Sequence, residues 1–545
     1  MSYIQRQREA TGPAKTPCQS PVKSAPIPSG RPTAIFDPDQ FRLIEPPRRI
    51  IDLEKGPQHS HFGSSLRSSR SDASICSSTA LLEKASSPTH QSLPPKRHHR
   101  ITRRLRYSLF AVYQCLFTFV FLLNAAAVLV LLHLSSWHNS KAFQVNNLAT
   151  LASSNFLLAI LFRQDWLVNL LFRTAWLVPW SLPLRIRRIV SRVYCYGGIH
   201  SGAAVAGTSW WIAFTCMLSW EGVAHGSFTP FILVLTLVIA SLLITIVTLS
   251  LPGVRARYHD TWELTHRFLG WLSILLFWAQ ILLLTSYISV LSPELSFAST
   301  LTHTPTFWTL IAITALLVYP WLLLRRWTFT ATLLSDHALQ LSFPNKVHKY
   351  SCLVLSDSPL REWHPFATFP SAARGADETG NSLVVSAAGD WTQGLISRAQ
   401  QHTPGGRKSD MRFWVKSHPR AGVLSLSCIY ARVLILTTGS GIGPCLSSLL
   451  DRPATQMARL VWSTRSPLRT YGEHMLRLVH EADPDALVLD TDQMGRPDLL
   501  SIAWSMYVEM QAEAVFVLSN ERVTRTVVGG LERRGVPAFG PIWDS

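Results

Sequence analysis

Between residues 107 and 324 the chain is dominated by Leu, Val, Ile, Ala, Phe and Trp in long runs without charge. Runs of that kind have few solutions, because about 20 consecutive apolar residues are what a bilayer core demands of one helix. Six such runs can be placed near 107–134, 146–163, 193–216, 229–251, 264–290 and 305–324. The expectation is a bundle of about six membrane-spanning helices. The loops orient it. Segments 163–192 (Arg163, Arg173, Arg185, Arg187, Arg188, Arg192), 252–258 (Arg255, Arg257) and 325–326 (Arg325, Arg326) are basic, whereas 135–145, 217–228 and 291–304 hold a single basic residue, Lys141. Positive loops stay inside, so both termini are expected in the cytosol of a multi-pass protein, with the plasma membrane as its location. The run near 146–163 carries Asn146, Asn147, Ser153, Ser154 and Asn155 and should pack inside the bundle.

The net charge of +18 has the same origin. The first 106 residues hold 18 Lys/Arg against 8 Asp/Glu, ending in PPKRHHRITRRLR directly before the first apolar run. This pattern is topogenic and lipid-directed, and it argues against a nucleic-acid partner. Residues 1–100 read as a disordered cytoplasmic tail, Ser- and Pro-rich, with no secretory signal at its start and with serines near Arg67 and Arg70 that suit basophilic kinases. The eight cysteines are scattered, with no CxxC and no His/Cys metal spacing, so neither a disulfide framework nor a zinc site is expected. Residues 101–326 form the transmembrane domain.

After Arg326 the pattern changes to short alternating runs, TFTATLL, ALQLSF and YSCLVL, with turns at Ser335-Asp336 and Pro344-Asn345. These predict an antiparallel barrel over 327–430. His364-Pro365-Phe366 offers a ring donor, a rigid turn and an aromatic face suited to a flat polar heterocycle. GDWTQGL (389–395) opens a helix whose N-terminal N–H groups can meet an anion.

Over 431–545 the chain reads as a doubly wound α/β domain. Val433-Leu434-Ile435-Leu436 has the hydrophobicity of a strand buried on both faces, and Gly439, Gly441 and Gly443 follow as a turn that brings backbone N–H groups to a pyrophosphate. ARLVW (458–462), LVLDTD (487–492) and AVFVLSN (514–520) are the further strands, the last being the final one. STRS (463–466), DQMGRPDL and LSNERVTR (518–525) should rim one crevice with the glycine turn. Arg465 suits a 2′-phosphate, and no acidic residue occupies 461–466 to bond a free 2′-hydroxyl. Cys445 is read as a small packing residue, the alternative being a reactive thiol at a helix N-terminus. His200 and His266, placed inside the bundle, are functional-site candidates by their cost alone.

The order of spans, barrel with HPF and GDWT, and nucleotide fold with GSGIGP and GRPDL resembles the ferric reductase/NADPH oxidase group. GIHSGAAVAGTSWW (198–211), THRFLGW (265–271) and the terminal GVPAFGPIWDS look like the fungal TmpA-type integral membrane proteins, a reductase-derived group associated with asexual development. The resemblance implies FAD on a barrel of ferredoxin-reductase type through His364, Pro365 and Phe366, with Thr368 beside Ala367 where the group has the threonine of HPFT. It implies that Gly389, Trp391 and Thr392 face the FAD phosphates. NADPH or NADH would lie on Gly439, Ser440, Gly441, Gly443, Pro444 and Arg465, with Gly495, Arg496 and Pro497 across the crevice.

The chain also departs from the group. VLSLSCIYAR lacks its Gly-Pro turn, and Leu518-Ser519-Asn520 replaces its Cys-Gly-Pro. The group places two histidines roughly 14 residues apart on each of two helices, holding two haems ~20 Å apart. Phe214 and Gln280 stand where the second pair belongs, leaving at most one haem, on His200 and His266. The leading reading is hydride transfer from NAD(P)H to FAD on the cytosolic side. The alternatives are a degenerate reductase-like sensor or scaffold and, less economically, a transporter using His200, His266 and Glu263.

Overall fold

The apolar runs fold as helices: α1 (Val112–His138), α2 (Val145–Leu161), α3 (Asp165–Trp176), α4 (Leu184–Val190), α5 (Gly197–His225), α6 (Pro230–Leu249), α7 (His259–Leu291) and α8 (Pro305–Leu322). The structure is a computed structural model. It describes residues 91–542 apart from 139–144, 227–228, 293, 295, 372–379, 403–408 and 417, so the serine cluster near Arg67 and Arg70 lies outside the described residues. By length and composition α1, α6, α7 and α8 can cross a bilayer, and α2 with α3, bent by 63° at a short break, make a fifth span only if taken as one. The expected count of six therefore depends on α5. That helix is long enough, but its glycines, serines and threonines lower its apolarity.

Those small residues have a packing reason. A Cβ on Gly202 would lie 2.7 Å from the Phe117 carbonyl oxygen of α1, so glycine here lets two backbones approach. The polar second run is explained as well. Asn124 and Asn155 exchange amide hydrogen bonds of 3.0 and 2.7 Å between α1 and α2, and Trp210 Nε1 donates to Asn124 Oδ1 at 2.8 Å. Inside a bundle such pairs satisfy groups that hydrocarbon cannot.

Strands β1 (Arg325–Leu333), β2 (Ala338–Phe343), β3 (Ser351–Ser356), β4 (His364–Ala367), β5 (Phe369–Pro370), β6 (Asn381–Ser386), β7 (Ser409–Val415) and β8 (Arg420–Ala421) form an antiparallel sheet in the order β4-β3-β7-β1-β2-β6-β5, with β8 on β3. Its two ends, β4 and β5, are one stretch of chain interrupted only at Thr368, so the path returns on itself as a barrel. Phe329, Leu339, Leu341, Leu353, Leu355 and Phe413 fill it. At the Ser335-Asp336 turn, Ser335 Oγ accepts from the His337 and Ala338 amides. Helix α9 (Asp390–His402) packs on β1 and β6.

The α/β domain has β9 (Arg432–Thr438), β10 (Met457–Thr464), β11 (Leu487–Asp490), β12 (Ala514–Leu518) and β13 (Ala538–Phe539), all parallel, in the order β11-β10-β9-β12-β13. Its helices include α10 (Ile442–Leu450), α11 (Pro467–Ala482), α12 (Leu499–Glu509) and α13 (Glu521–Glu532). AVFVLSN is thus not the last strand. The two-residue β13 lies between prolines and glycine, where periodicity carries no signal.

The largest departure from expectation is the basic segment 163–192. Val168, Phe172 and Ala175 of α3 share one buried core with Tyr430, Val433 and Phe516 of the α/β domain. Arg187, only 5% exposed, donates two bonds of 3.0 Å to the Glu513 carboxylate. Arg192 pairs with Glu532, Arg420 with Asp165, and Trp180 Nε1 donates to the Cys428 carbonyl at 2.8 Å. A segment read as a topogenic loop within 101–326 is built into the unit that follows the bundle.

Candidate functional site

The registers bring Thr438, Thr464, Asp490 and Leu518, the carboxyl ends of β9 to β12, to one edge of the parallel sheet. This is the edge at which open α/β sheets receive ligands. Gly439 turns the chain there with φ 51, a conformation that favours glycine. Gly441 is needed for space instead: its φ is −61, but a Cβ would lie 2.8 Å from the Leu518 carbonyl oxygen. Gly443, already inside α10, would place a Cβ only in ordinary contact with Val384, at 4.0 Å. Of the three glycines of the turn, one is thus needed for conformation and one for close approach.

No side chain caps α10, whereas α12 is capped by Asp498 and α13 by Asn520. The Ile442 amide bonds the Gly439 and Ser440 carbonyls and Pro444 has no N–H, so the open donors at this N-terminus, of the kind that receive anions, are fewer than the glycine turn alone implies. Ser440 is exposed, and Pro444 stands in the first turn, where a missing N–H costs nothing. Cys445 is fully buried, and burial pushes its thiol up to about 12, in line with the packing reading.

Arg465 is exposed at the end of β10. The absence of acidic residues in 461–466 does not carry into three dimensions. Asp490 accepts from the Ser466 amide at 2.9 Å, and Asp492 accepts from the Ser466 hydroxyl at 2.8 Å. Gly495, with φ 73, ends the turn before the exposed Arg496 and the half-buried Pro497, and Asp498 then caps α12. Where the group has Cys-Gly-Pro, the Ser519 hydroxyl meets the Thr438 hydroxyl at 2.5 Å, and Thr437 Oγ1 donates to the Leu518 carbonyl at 2.8 Å.

On the barrel side the two quoted motifs meet. The Trp391 ring of GDWT stacks on His364 at 4.2 Å and lies 6.0 Å from Phe366. Trp391 Nε1 donates to Asp357, which also holds Arg398 through both oxygens, fixing the indole. Pro365 points to the exposed face of β4. Thr392 Oγ1 accepts from the Ala388 and Gly389 amides, so two of the N–H groups expected to meet phosphates are engaged within the turn. Thr368 is corrected more strongly. It is buried, and its hydroxyl and amide both donate to the Ser351 carbonyl, which withdraws it from any ligand on the β4 surface.

The two sides share a seam. Helix α10 packs against β4 and β5, with Ile442, Cys445 and Leu446 in one core with Phe369 and Val384. Sequence reasoning missed Trp462 and Tyr471. Trp462 Nε1 donates to the Gly439 carbonyl at 3.0 Å, and Tyr471 packs edge-on to it at 5.2 Å. An apolar strand and an amphipathic helix give no sign of such bracing. Asp357 was missed for the same reason.

In the bundle, His200 and His266 lie at one depth, their rings 6.3 Å apart. His200 Nδ1 donates to the Ala159 carbonyl at 2.9 Å, leaving Nε2 for a ligand, and His266 lies beside Trp262. Two imidazoles facing each other fit the ligand count of one haem. The farther level does not. Phe214 packs on Trp211 at 4.6 Å, Gln280 donates to Thr236 at 2.7 Å, and the cavity between them holds about 40 Å³.

The family model that matches, described as the C-terminal domain of adenylate-forming reductase 03009, covers residues 423–545. The chain is 36% identical over 504 residues to adenylate-forming reductase 03009 of Coprinopsis cinerea, covering 92% of this chain and 46% of that protein. It is 36% identical over 455 residues to adenylate-forming reductase 06235 of the same organism, covering 83% and 42%. It thus spans less than half the length of these curated relatives. NADPH oxidase 1 of Rattus norvegicus is 27% identical over 203 residues, 34% of this chain and 31% of that protein. This agrees with the NADPH oxidase resemblance. Similar solved structures include a ferredoxin NADP+ reductase from Neisseria gonorrhoeae with bound FAD and NADP (15% identity, 40% of this chain and 98% of that one, TM-score 0.30). A flavohemoglobin from Malassezia yamatoensis with bound FAD and heme gives 14% identity, 73% and 98% coverage and a TM-score of 0.32.

Proposed function

We propose that the chain is a multi-pass membrane flavoprotein of oxidoreductase type, taking a hydride from NAD(P)H onto FAD at the cytosolic end of its helical bundle. The observation that carries this reading is the seam at which the uncapped glycine-turn helix α10 packs on the β4–β5 strand bearing His364 and Phe366. A nucleotide on the turn and a flavin on the strand would meet there. When bound, FAD supplies the hydride-accepting ring. The chain's own work is placement. Trp391, held by Asp357, fixes one face of His364, so the flavin would take the exposed Pro365 surface beside it. The amides of α10 would hold the dinucleotide phosphates, with Trp462 and Tyr471 keeping the turn in place. Arg465 would favour a 2′-phosphate, while Asp490 and Asp492 beside it would favour a free hydroxyl, so both NADPH and NADH are substrates in this reading. The word reductase in the names of the Coprinopsis relatives agrees with it.

Electrons stay on the cytosolic side. His200 and His266 would hold at most one haem, and the level of Phe214 and Gln280 holds none. A second reading, a catalytically degenerate sensor or scaffold of TmpA type, draws support from the withdrawn Thr368 and from Leu518 at the cysteine position, with no thiol to stand near the nicotinamide. Flavin content of the purified full chain tests the site. His364→Ala should lower flavin per protein several-fold while membrane insertion is unchanged. Unaltered flavin content moves the site elsewhere.

A further inference from the structure

A cavity of about 210 Å³ lies where the bundle meets the barrel, lined by none of the residues that rim the crevice of the α/β domain. Its walls carry four cationic side chains, Arg163, Arg267, Lys416 and Arg420. Only two carboxylates offset them: Asp165 on Arg420, and Glu263 on Arg267 at 2.5 Å. The remaining two cations form no ion pair with a carboxylate and feel Asp165, and for Lys416 also Glu263, only at longer range. Among the described residues the Arg163 guanidinium makes no hydrogen bond or ion pair, and the Lys416 ammonium has only the Trp363 ring, 5.1 Å away. Burial and then the positive charge of Arg420 push Lys416 down to about 8, against the opposing pull of Asp165 and Glu263.

The rest of the lining says where that anion comes from. Trp271 and Trp321, edge to face at 5.4 Å, stand at the barrel end of α7 and α8, with Pro320 and Leu324 beside them. Tryptophans and arginines at the end of apolar helices mark the headgroup layer of a bilayer. Guanidinium forks recognise phosphate oxygens in pairs, and an ammonium adds a point charge.

We propose that this cavity is a binding site for a phosphate-bearing anion, offered either by an acidic phospholipid headgroup or by a free phosphate compound. The proposal rests on the membrane reading and not on the flavin one. An anion there would bridge α2–α3, α7 and the barrel, tying the position of the barrel to the surface of the bilayer.

The test uses the full chain in nanodiscs of phosphatidylcholine alone, or with phosphatidylserine or phosphatidylinositol bisphosphate, following thermal unfolding and the lipids retained in native mass spectra. Acidic lipid should raise the unfolding temperature and remain bound. Inorganic pyrophosphate added to phosphatidylcholine discs distinguishes a free anion, since stabilisation by it alone assigns the site to a soluble compound. Arg163→Gln and Lys416→Gln should each weaken either effect about tenfold, the loss of one charge-assisted hydrogen bond. Arg325→Gln, exposed at the same level, should leave it unchanged. Equal loss in Arg325→Gln would show general attraction to an acidic surface, and no stabilisation by either source would remove the site. A fall in flavin content with Arg163→Gln would assign the cavity to the cofactor, against the proposal. Extraction of the chain by alkaline carbonate would instead overturn the membrane reading.

Discussion

Residues 163–196 and residues 250–258 both return the chain between long helices at the barrel end of the bundle, and both carry arginines, yet they are built differently. In the first, Arg187 is buried against Glu513, Arg192 is paired with Glu532, and the apolar face of α3 belongs to the core of the α/β domain. In the second, Arg255 and Arg257 lie over the rings of near neighbours, Trp262 at 5.4 Å and Tyr258 at 5.7 Å. Positive charge beside a membrane helix therefore has two uses. An exposed charge such as that of Arg257 stays with its own segment, and one that enters an interface, as Arg187 does, fixes the orientation of what it docks.

The contrast breaks most sharply at Arg187. Arg187→Ala takes the ion-pair partner from the half-buried Glu513 carboxylate, which keeps only the Ala431 and Arg432 amides, a loss of roughly 1–3 kcal/mol. Hydrogen exchange should show early opening of α4 and β12 in that variant, while Arg187→Met with Glu513→Leu recovers most of the protection. Next in size is the acid response. Burial raises the pKa of Glu513, but bonds from Arg187 and from the Ala431 amide outweigh it and hold the group below the ordinary range. A depressed carboxylate contributes stability that is present above the unfolded value of about 4.3 and is lost as pH falls through the folded one. Docking of 163–196 should weaken over that acid window, and Glu513→Gln should flatten the dependence.

A smaller effect is expected at Trp180. Trp180→Phe removes the donor to the Cys428 carbonyl, about 1 kcal/mol, read as faster proteolysis of the 177–183 connection. Arg255→Gln is the smallest. A cation–π contact near the surface contributes about 0.5–1 kcal/mol, so unfolding of the α/β domain should not change measurably. Equal damage from Arg187→Ala and Arg255→Gln would erase the distinction.

Much of the architecture was legible because it repeats or alternates. The apolar runs, the barrel strands and the β9–Gly439–α10 turn each announce a period, and the structure places helices, antiparallel strands and a parallel sheet there. What periodicity does not encode is which polar groups find each other across hundreds of residues. Arg187 and Glu513 are 326 positions apart and look like surface residues in either neighbourhood. Asp490 and Asp492 reach Ser466 only through the pairing of β10 with β11. Thr368, beside Ala367 in the sequence, is directed inward by the break between β4 and β5. The shared depth of His200 and His266 likewise depended on how far α5 and α7 slide past each other.

The central claim is that a nicotinamide nucleotide and a flavin meet at the seam between α10 and the β4–β5 strand. Anaerobic addition of NADPH to the purified full chain, followed at the flavin absorbance band, tests it most directly. The expected result is bound flavin that bleaches on mixing, with bleaching slowed at least tenfold by Gly441→Ala, whose added Cβ would press on the Leu518 carbonyl. Bound flavin that stays oxidised with both NADPH and NADH, or a chain with no flavin at all, would contradict it.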